Sequence, residues 1–270
     1  MTSASTGAAR SGSAAVQAPL WGARTRDWAE VQEGTVLALY EEVFGRTKLG
    51  RGTTLLDVGC GAGRACMIAA QRGASVTGLD ATPELLAIAR QRVPNAVFEL
   101  GDMEALPFPD DGFDVVTGFN SFQYAADPVR ALREARRVAR PGGQIVIAVW
   151  GLPEETEALG FLKAMASLLP PPPPGAPGPF ALSEPEALAA FVRQADLEPL
   201  RAGAVPCVWE YADLETALRG NLSSGPAVRA IQIAGEARVR DAVAESLAPF
   251  VQADGRYRLL NTFRYLIAQA

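Results

Sequence analysis

Three aspartates, Asp57, Asp80 and Asp102, each close an apolar stretch of the 270-residue sequence, and a glycine-rich turn follows the first of them. Leu55-Leu56-Asp57-Val58-Gly59-Cys60-Gly61-Ala62-Gly63 reads as a strand running into a turn stripped of side chains. A helical pattern then runs from Arg64 to about Gln71. Such a turn lets a ligand reach backbone N–H groups at a helix N-terminus. Two ligand classes use it. A dinucleotide calls for G-x-G-x-x-G, but here the third glycine position holds Arg64. Asp57 would also sit near the pyrophosphate, at a Coulomb cost on the order of a few kcal/mol. A nucleoside with a zwitterionic, cationic tail and no phosphate suits the acids better. Asp57 would face an ammonium group, Asp80 could accept two hydrogen bonds from a ribose diol, and Asp102 could accept from an adenine amino group. If the three strands are neighbours, their acids line the crevice at the carboxyl ends of the sheet, where open α/β folds bind ligands.

Composition narrows the chemistry. The sequence contains no histidine, which excludes a Ser-His-Asp triad, a Cys-His dyad, a His-ligated metal and a histidine base. The three cysteines, Cys60, Cys66 and Cys207, form no C-x-x-C pair, so the chain reads as reduced and cytoplasmic. A formal charge of −5 argues against a nucleic-acid partner. No apolar run is long enough for a membrane span. Residues 1–20 are rich in Ala, Ser and Gly without an apolar core, and are expected to be a disordered tail rather than a secretory signal. A transit peptide would share their low acidity.

The elements that must position the acids alternate along the chain. A helical cap is expected over 21–48, where Trp21, Trp28, Val31, Val36, Leu37, Tyr40, Val43 and Phe44 recur at helical spacing. It would cover a sheet edge or act as a lid. Strands are predicted at Thr53–Val58, Ser75–Leu79, Ala96–Leu100, Phe113–Phe119 and Gln144–Val149. Helices fall between them, and Thr82-Pro83 and Asp127-Pro128 mark two helix starts. This alternation predicts a parallel sheet with helices on both faces and right-handed crossovers. After Trp150 the pattern changes to a proline tract at 170–179, a helix at Glu184–Ala195, a strand at Glu198–Val205, a mostly helical stretch from Asp213 to Phe250 and a final strand at Tyr257–Ala268. The tract reads as a stiff connection, since no basic or aromatic flank supports a polyproline ligand motif.

Five motifs then appear in order. They are Leu-Leu-Asp-Val-Gly-Cys-Gly-Ala-Gly (55–63), Gly-Leu-Asp (78–80), Gly-Asp-Met-Glu-Ala-Leu-Pro-Phe-Pro-Asp (101–110), Phe-Asp-Val-Val (113–116) and Arg-Val-Ala-Arg-Pro-Gly-Gly (137–143). Over about residues 50–150 the sequence resembles a class I S-adenosylmethionine-dependent methyltransferase of the ubiquinone/menaquinone-methyltransferase-like (type 11) group. The resemblance implies a Rossmann-like, doubly wound α/β fold. Its seven-stranded sheet would be mostly parallel with the last strand antiparallel, and helical insertions would lie near the late strands. It implies one methyltransferase domain over 21–270, with a cofactor-binding core at 50–150, acceptor-side insertions at 151–195 and 206–250, and a final strand at 256–268. S-adenosylmethionine would be the methyl donor, with no metal. Gly59 and Gly61 would let its methionine moiety lie against the backbone, with Asp57 near the amino group. Asp80 with Ala81 would hold the ribose, Asp102 and Met103 would bracket the adenine, and Asn120 would sit near the methionine tail.

Methyl transfer from a sulfonium is one in-line displacement, for which orientation alone can supply roughly 7–11 kcal/mol. In related enzymes a histidine often follows the fourth strand. Here the residues are Asn120-Ser121-Phe122-Gln123-Tyr124, so no catalytic residue is assigned. Tyr124, Glu210 and Tyr211 are candidate bases, and solvent is the alternative. The insertions are rich in Ala, Leu, Phe and Trp, which points to a small apolar or aromatic acceptor. Two other readings stay open: a non-catalytic regulator or scaffold that binds S-adenosylmethionine or its demethylated product, and a nicotinamide-dependent oxidoreductase.

Overall fold

The computed structural model describes residues 12–171 and 178–270. A seven-stranded sheet of order β3-β2-β1-β4-β5-β7-β6 forms its centre. The strands are β1 (Thr54–Val58), β2 (Ser75–Asp80), β3 (Val97–Leu100), β4 (Phe113–Phe119), β5 (Ala139–Trp150), β6 (Glu198–Tyr211) and β7 (Tyr257–Gln269). β1 to β5 pair in parallel, and β7 lies antiparallel between β5 and β6. The expected mostly parallel sheet with its last strand antiparallel is therefore the one observed.

Helices α1 (Ala14–Trp21), α2 (Thr25–Asp27) and α3 (Leu37–Arg46) precede the sheet, with a π-helical turn at Trp28–Gln32 and a 3-10 turn at Glu33–Val36. Helices α4 (Arg64–Gln71), α5 (Pro83–Arg92) and α6 (Pro128–Val138) connect β1 to β5. Helices α7 (Leu159–Ser167) and α8 (Pro185–Arg193) precede β6, and α9 (Leu214–Leu222), α10 (Gly225–Ala234) and α11 (Glu236–Leu247) precede β7.

The central strands are buried on both faces, as parallel strands must be when helices cover each side. Along β1 the side chains alternate. Leu55 joins the core under α3 and α4, whereas Leu56 and Val58 join the core under α6 and α8. The helix starts follow local chemistry. Asp127 caps α6 by accepting from the Arg130 backbone N–H at 3.0 Å, and Pro128 occupies the first turn, where a missing N–H costs nothing. At α5 the Thr82 side chain makes no capping bond. Its backbone N–H donates instead to Asp80 Oδ1 at 2.8 Å, so the strand-end acid fixes the start of the helix.

Three boundaries differ from expectation. Residues 14–20 of the expected disordered tail lie in α1, while 1–11 fall outside the described residues. The helix is weakly amphipathic and contains Pro19, so its sequence carries little periodic signal. Its first turn is held by acids distant in the chain. β6 runs to Tyr211 rather than Val205, so residues 206–211 of the expected 206–250 insertion are strand. Alternation at Val205, Cys207, Trp209 and Tyr211 buries one face throughout. β5 begins at Ala139, through the expected Arg-Pro-Gly-Gly turn, with a register shift opposite Phe113 and Val115. The proline tract falls largely on residues outside the described ones, 172–177.

Candidate active site

The glycine turn is shaped by close approach. Gly59 and Gly61 have φ of +74° and +57°, a region that L side chains rarely adopt. A Cβ on Gly59 would lie 2.6 Å from the Ser121 Cβ. Ser121 in turn donates from Oγ to the Val58 carbonyl at 2.7 Å, locking the β4 exit loop against the β1 exit. Gly59 and Cys60 donate their N–H groups to the Leu79 carbonyl, which ties the turn to β2.

Asp80 sits beside that turn. Its Oδ2 accepts from the Gly61 N–H at 2.8 Å and its Oδ1 from Thr82 N–H. Burial pushes its carboxyl up from the usual carboxylate range, against the pull of these backbone donors. An ionised carboxylate offers about four acceptor sites, so each oxygen retains capacity for a further donor. Asp102, in the loop after β3, accepts from the Glu104 N–H at 2.9 Å and from the Ala14 N–H at 3.1 Å. Glu104 is itself buried and accepts from Ser13 and Ala126 N–H groups. The two acids therefore hold the first turn of α1 as a roof over this end of the site, which is the polarity that favours carboxylates at a helix N-terminus.

These residues line one cavity of about 710 Å³, toward the upper end of the usual ligand-pocket range. Seven of the eight residues singled out in the sequence face it: Gly59, Gly61, Asp80, Ala81, Asp102, Met103 and Asn120. Asn120 adopts φ +54° and accepts at Oδ1 from the Gln123 amide.

Asp57 is the exception. It is absent from the cavity lining and is 2% exposed. In register with Thr117 of β4, it accepts from Thr117 Oγ1 at 2.7 Å and from Cys66 Sγ at 3.7 Å. Burial raises its carboxyl to about 7, against those two donors. Asp57 is not the last residue of β1, because Val58 follows it. Alternation along β1 sends the Asp57 side chain under α4 instead of over the turn.

The structure brings in residues that the motifs did not mark. Glu33, 4% exposed, accepts from the Arg64 N–H at 3.3 Å and pairs with Arg92. It thereby occupies the N-terminus of α4 beside Gly61, and burial raises its carboxyl despite the Arg92 charge. Arg92 also donates to the Ala29 and Ala62 carbonyls, clamping the N-terminal layer to the turn. Tyr40 lines the cavity with its ring edge-on to Phe119 at 4.7 Å. Burial, then the Glu33 and Asp57 charges, lift its phenol well above the usual value. The only sequence signal for either residue was its place in the apolar periodicity of 21–48, an acid within it and a tyrosine on it.

Beyond Phe119 the lining becomes apolar. It is built by Trp150, Phe161, Met165, Phe191, Trp209 and Phe263, with Trp150 stacked on Phe263 at 4.6 Å and tilted against Trp209 at 5.7 Å. The candidate bases separate here. Tyr124 lines the cavity, but loss of water pushes its phenol up to about 12, so at neutral pH it is a donor. Tyr211 lies outside the lining, with its hydroxyl donating to Gln32 Oε1 at 2.9 Å. Glu210 is exposed on the opposite face of β6, 3.7 Å from Arg258. Among the described residues there is no cluster of Cys, Asp or Glu suited to a metal ion.

Known proteins share this architecture. Residues 56–147 match the family model described as a methyltransferase domain. A malonyl-[acyl-carrier protein] O-methyltransferase of Serratia marcescens is 39% identical over 108 residues, 40% of this chain and 42% of the relative. The methyltransferase GfsG of Streptomyces halstedii is 36% identical over 115 residues, 40% of this chain and 41% of that protein. The matched region thus spans about two-fifths of these curated relatives. Among solved structures, a putative methyltransferase from Bacillus halodurans superposes with TM-score 0.57 at 16% identity, over 85% of this chain and 97% of that one. The [4+2]-cyclase SpnF superposes with TM-score 0.54 at 23% identity, over 86% and 79%. Identities this low establish a common fold, and the cyclase shows that the fold alone does not set the reaction.

Proposed function

We propose, from the premise that the chain belongs to the class I S-adenosylmethionine-dependent methyltransferases, that it methylates a small, apolar or aromatic organic acceptor by in-line displacement. One observation carries the proposal. A single cavity joins the glycine turn and the acids Asp80 and Asp102 to an apolar wall built by the late elements. A donor lying on the turn and an acceptor lying against Trp150 and Phe161 would share one enclosure, the arrangement that converts a bimolecular reaction into an effectively unimolecular one.

The residues fit the donor. Gly59 and Gly61 keep the turn open to backbone contact, since a Cβ at Gly59 would collide with Ser121. Asp80 would take the ribose diol on its remaining acceptor sites. Asp102 and Met103 would flank the base, and Asn120 would stand near the methionine tail. S-adenosylmethionine, when bound, supplies a sulfonium-activated methyl group. The acids Asp80 and Asp102, which have no arginine or lysine side-chain partner among the described residues, would favour a cationic donor over its neutral demethylated product. Asp57 acts one layer back, by holding α4 and β4 together behind the turn.

Among the described residues, neither tyrosine of the lining nor Glu33 suits the acceptor as a base, and Asp80 and Asp102 would be taken up by the donor. The Tyr40 and Tyr124 phenols are both raised, and Glu33 is engaged by Arg92. An acceptor hydroxyl would therefore release its proton to solvent, and an uncharged arylamine would lose its proton only after transfer. Calorimetry with S-adenosylhomocysteine tests the donor site, and transfer of a labelled methyl group to a panel of small aromatic acceptors tests the reaction. A protein that binds neither S-adenosylhomocysteine nor S-adenosylmethionine would overturn the reading. Tight binding with no transfer to any small molecule would leave the regulator or scaffold reading in its place.

A further inference from the structure

The donors of the glycine turn are largely spent inside the protein. Gly59 and Cys60 give their N–H groups to the Leu79 carbonyl, and Gly63 gives its own to the Cys60 carbonyl. The Gly61 N–H goes to Asp80 Oδ2 at 2.8 Å, and the Arg64 N–H to Glu33 Oε1 at 3.3 Å. Two carboxylates thus stand where a phosphate would seek backbone N–H groups. An anion would meet like charge there, and an ammonium group would meet opposite charge.

Position decides which carboxylate an ammonium group would reach. The acids of the lining are Glu33, Asp80 and Asp102, and the residues outside the described ones contain no Asp or Glu. Asp80 ends β2 and Asp102 follows β3, where the ribose and the base would lie. Asp57 does not reach the lining. Glu33 does, and it stands over the turn itself, since a Cβ on Gly61 would lie 3.3 Å from Glu33 Oε1. Gly61 lines the same cavity. A methionine moiety lying on Gly59 and Gly61 would therefore have Glu33 within reach.

The carboxylate is also prepared for a cation. Arg92 holds it through Oε2 and is anchored in turn on the Ala29 and Ala62 carbonyls. Oε1 has the one long bond from Arg64, and a carboxylate oxygen can accept two donors. Burial raises this carboxyl despite the Arg92 charge, so a second cation at Oε1 would favour its ionised form.

We infer that Glu33 receives the α-ammonium group of the methyl donor, so that a residue of the N-terminal layer completes the donor site. Glu33 precedes residues 56–147, which carry the family match. The inference rests on the methyltransferase reading of the same cavity.

Calorimetry on the full chain at neutral pH compares S-adenosylhomocysteine with its deaminated analogue, which has hydrogen in place of the amino group. The unmutated protein should bind the amine about tenfold or more tighter. Glu33→Gln should weaken S-adenosylhomocysteine about tenfold or more. The deaminated analogue should bind that variant no more than about twofold weaker, because it has no ammonium group for the carboxylate to receive. Equal losses for the two ligands would make Glu33 a clamp for Arg92 alone and overturn the inference. Equal affinities on the unmutated protein overturn it too, and that comparison stands even if the variant does not fold. Glu33→Gln combined with Arg92→Met removes both charges, so no guanidinium is left buried and unpaired. The preference for the amine should be lost there as well, and its survival would overturn the inference. A chain that binds neither ligand fails the methyltransferase reading, and this inference with it. One that binds both equally loses only the inference.

Discussion

Replacing Asp57 by Asn separates the two roles available to this carboxyl, holding the structure and touching the donor. In the folded protein the group is 2% exposed, and burial raises it from 3.8 to about 7. Each tenfold change in an ionisation equilibrium is about 1.4 kcal/mol, so full ionisation inside the fold costs about 4 kcal/mol relative to the unfolded chain. The sign follows from proton counting. Between the unfolded and folded values the native state binds more protons, so stability falls as pH rises through that window. From pH 5 to pH 8 this one group should remove roughly 2.5 kcal/mol from the wild type. Asn cannot ionise. It keeps an oxygen for Thr117 Oγ1, which donates at 2.7 Å, and gives up only the long Cys66 contact at 3.7 Å. The difference in unfolding free energy, variant minus wild type, should therefore rise by about 2.5 kcal/mol between pH 5 and pH 8 in urea titrations. Because Asp57 is absent from the cavity lining, affinity for S-adenosylhomocysteine should change by less than about threefold. A difference in stability that is flat with pH would refute the assignment of burial as the dominant force on this group. An affinity loss beyond about tenfold would instead put the carboxyl in contact with the ligand, as the family resemblance alone implies.

The other perturbations act on the cavity and its roof. Asp80→Ala should weaken S-adenosylhomocysteine binding by about 2–3 kcal/mol, the scale of lost charge-assisted hydrogen bonds; unchanged calorimetric affinity in a folded variant would remove Asp80 from the ribose site. Gly59→Ala forces a side chain into φ +74° and within 2.6 Å of Ser121, so a stability loss of about 1–3 kcal/mol and a loss of cofactor binding are expected in denaturation and calorimetry. Glu33→Gln leaves Arg92, whose side chain is 16% exposed, without its counter-charge, and breaking a buried pair from one side costs about 3–5 kcal/mol; a melting temperature equal to wild type would show that the clamp holds nothing.

The sheet and the glycine-turn end of the cavity were largely legible because their signals are local. A strand end, a glycine needing positive φ and an acid between them occur within a few residues, so the positions of Gly59, Gly61, Asp80 and Asp102 followed from the chain itself. Asp57 lies one residue short of the end of β1, and in a two-residue repeat one position reverses the face. The roof was not legible for a different reason. α1 has almost no periodic signal, and what fixes its start is the pair Asp102 and Glu104, about ninety residues further along the chain. Glu33 lay inside an apolar periodic stretch, where an acid reads as a solvated position. Only the fold brings it to Arg92 and to the N-terminus of α4. The apolar wall raises a third obstacle. Trp150, Trp209 and Phe263 alternate along β5, β6 and β7 as core residues do, and most of their surface is indeed core packing. What separates a pocket wall from a core is the open space these side chains border, a property of three-dimensional neighbours that periodicity cannot express. The glycine-turn end of the cavity is therefore written in turn chemistry that many sequences can share. The apolar wall is written in which side chains the late strands and helices bring together, and no single stretch of sequence expresses that.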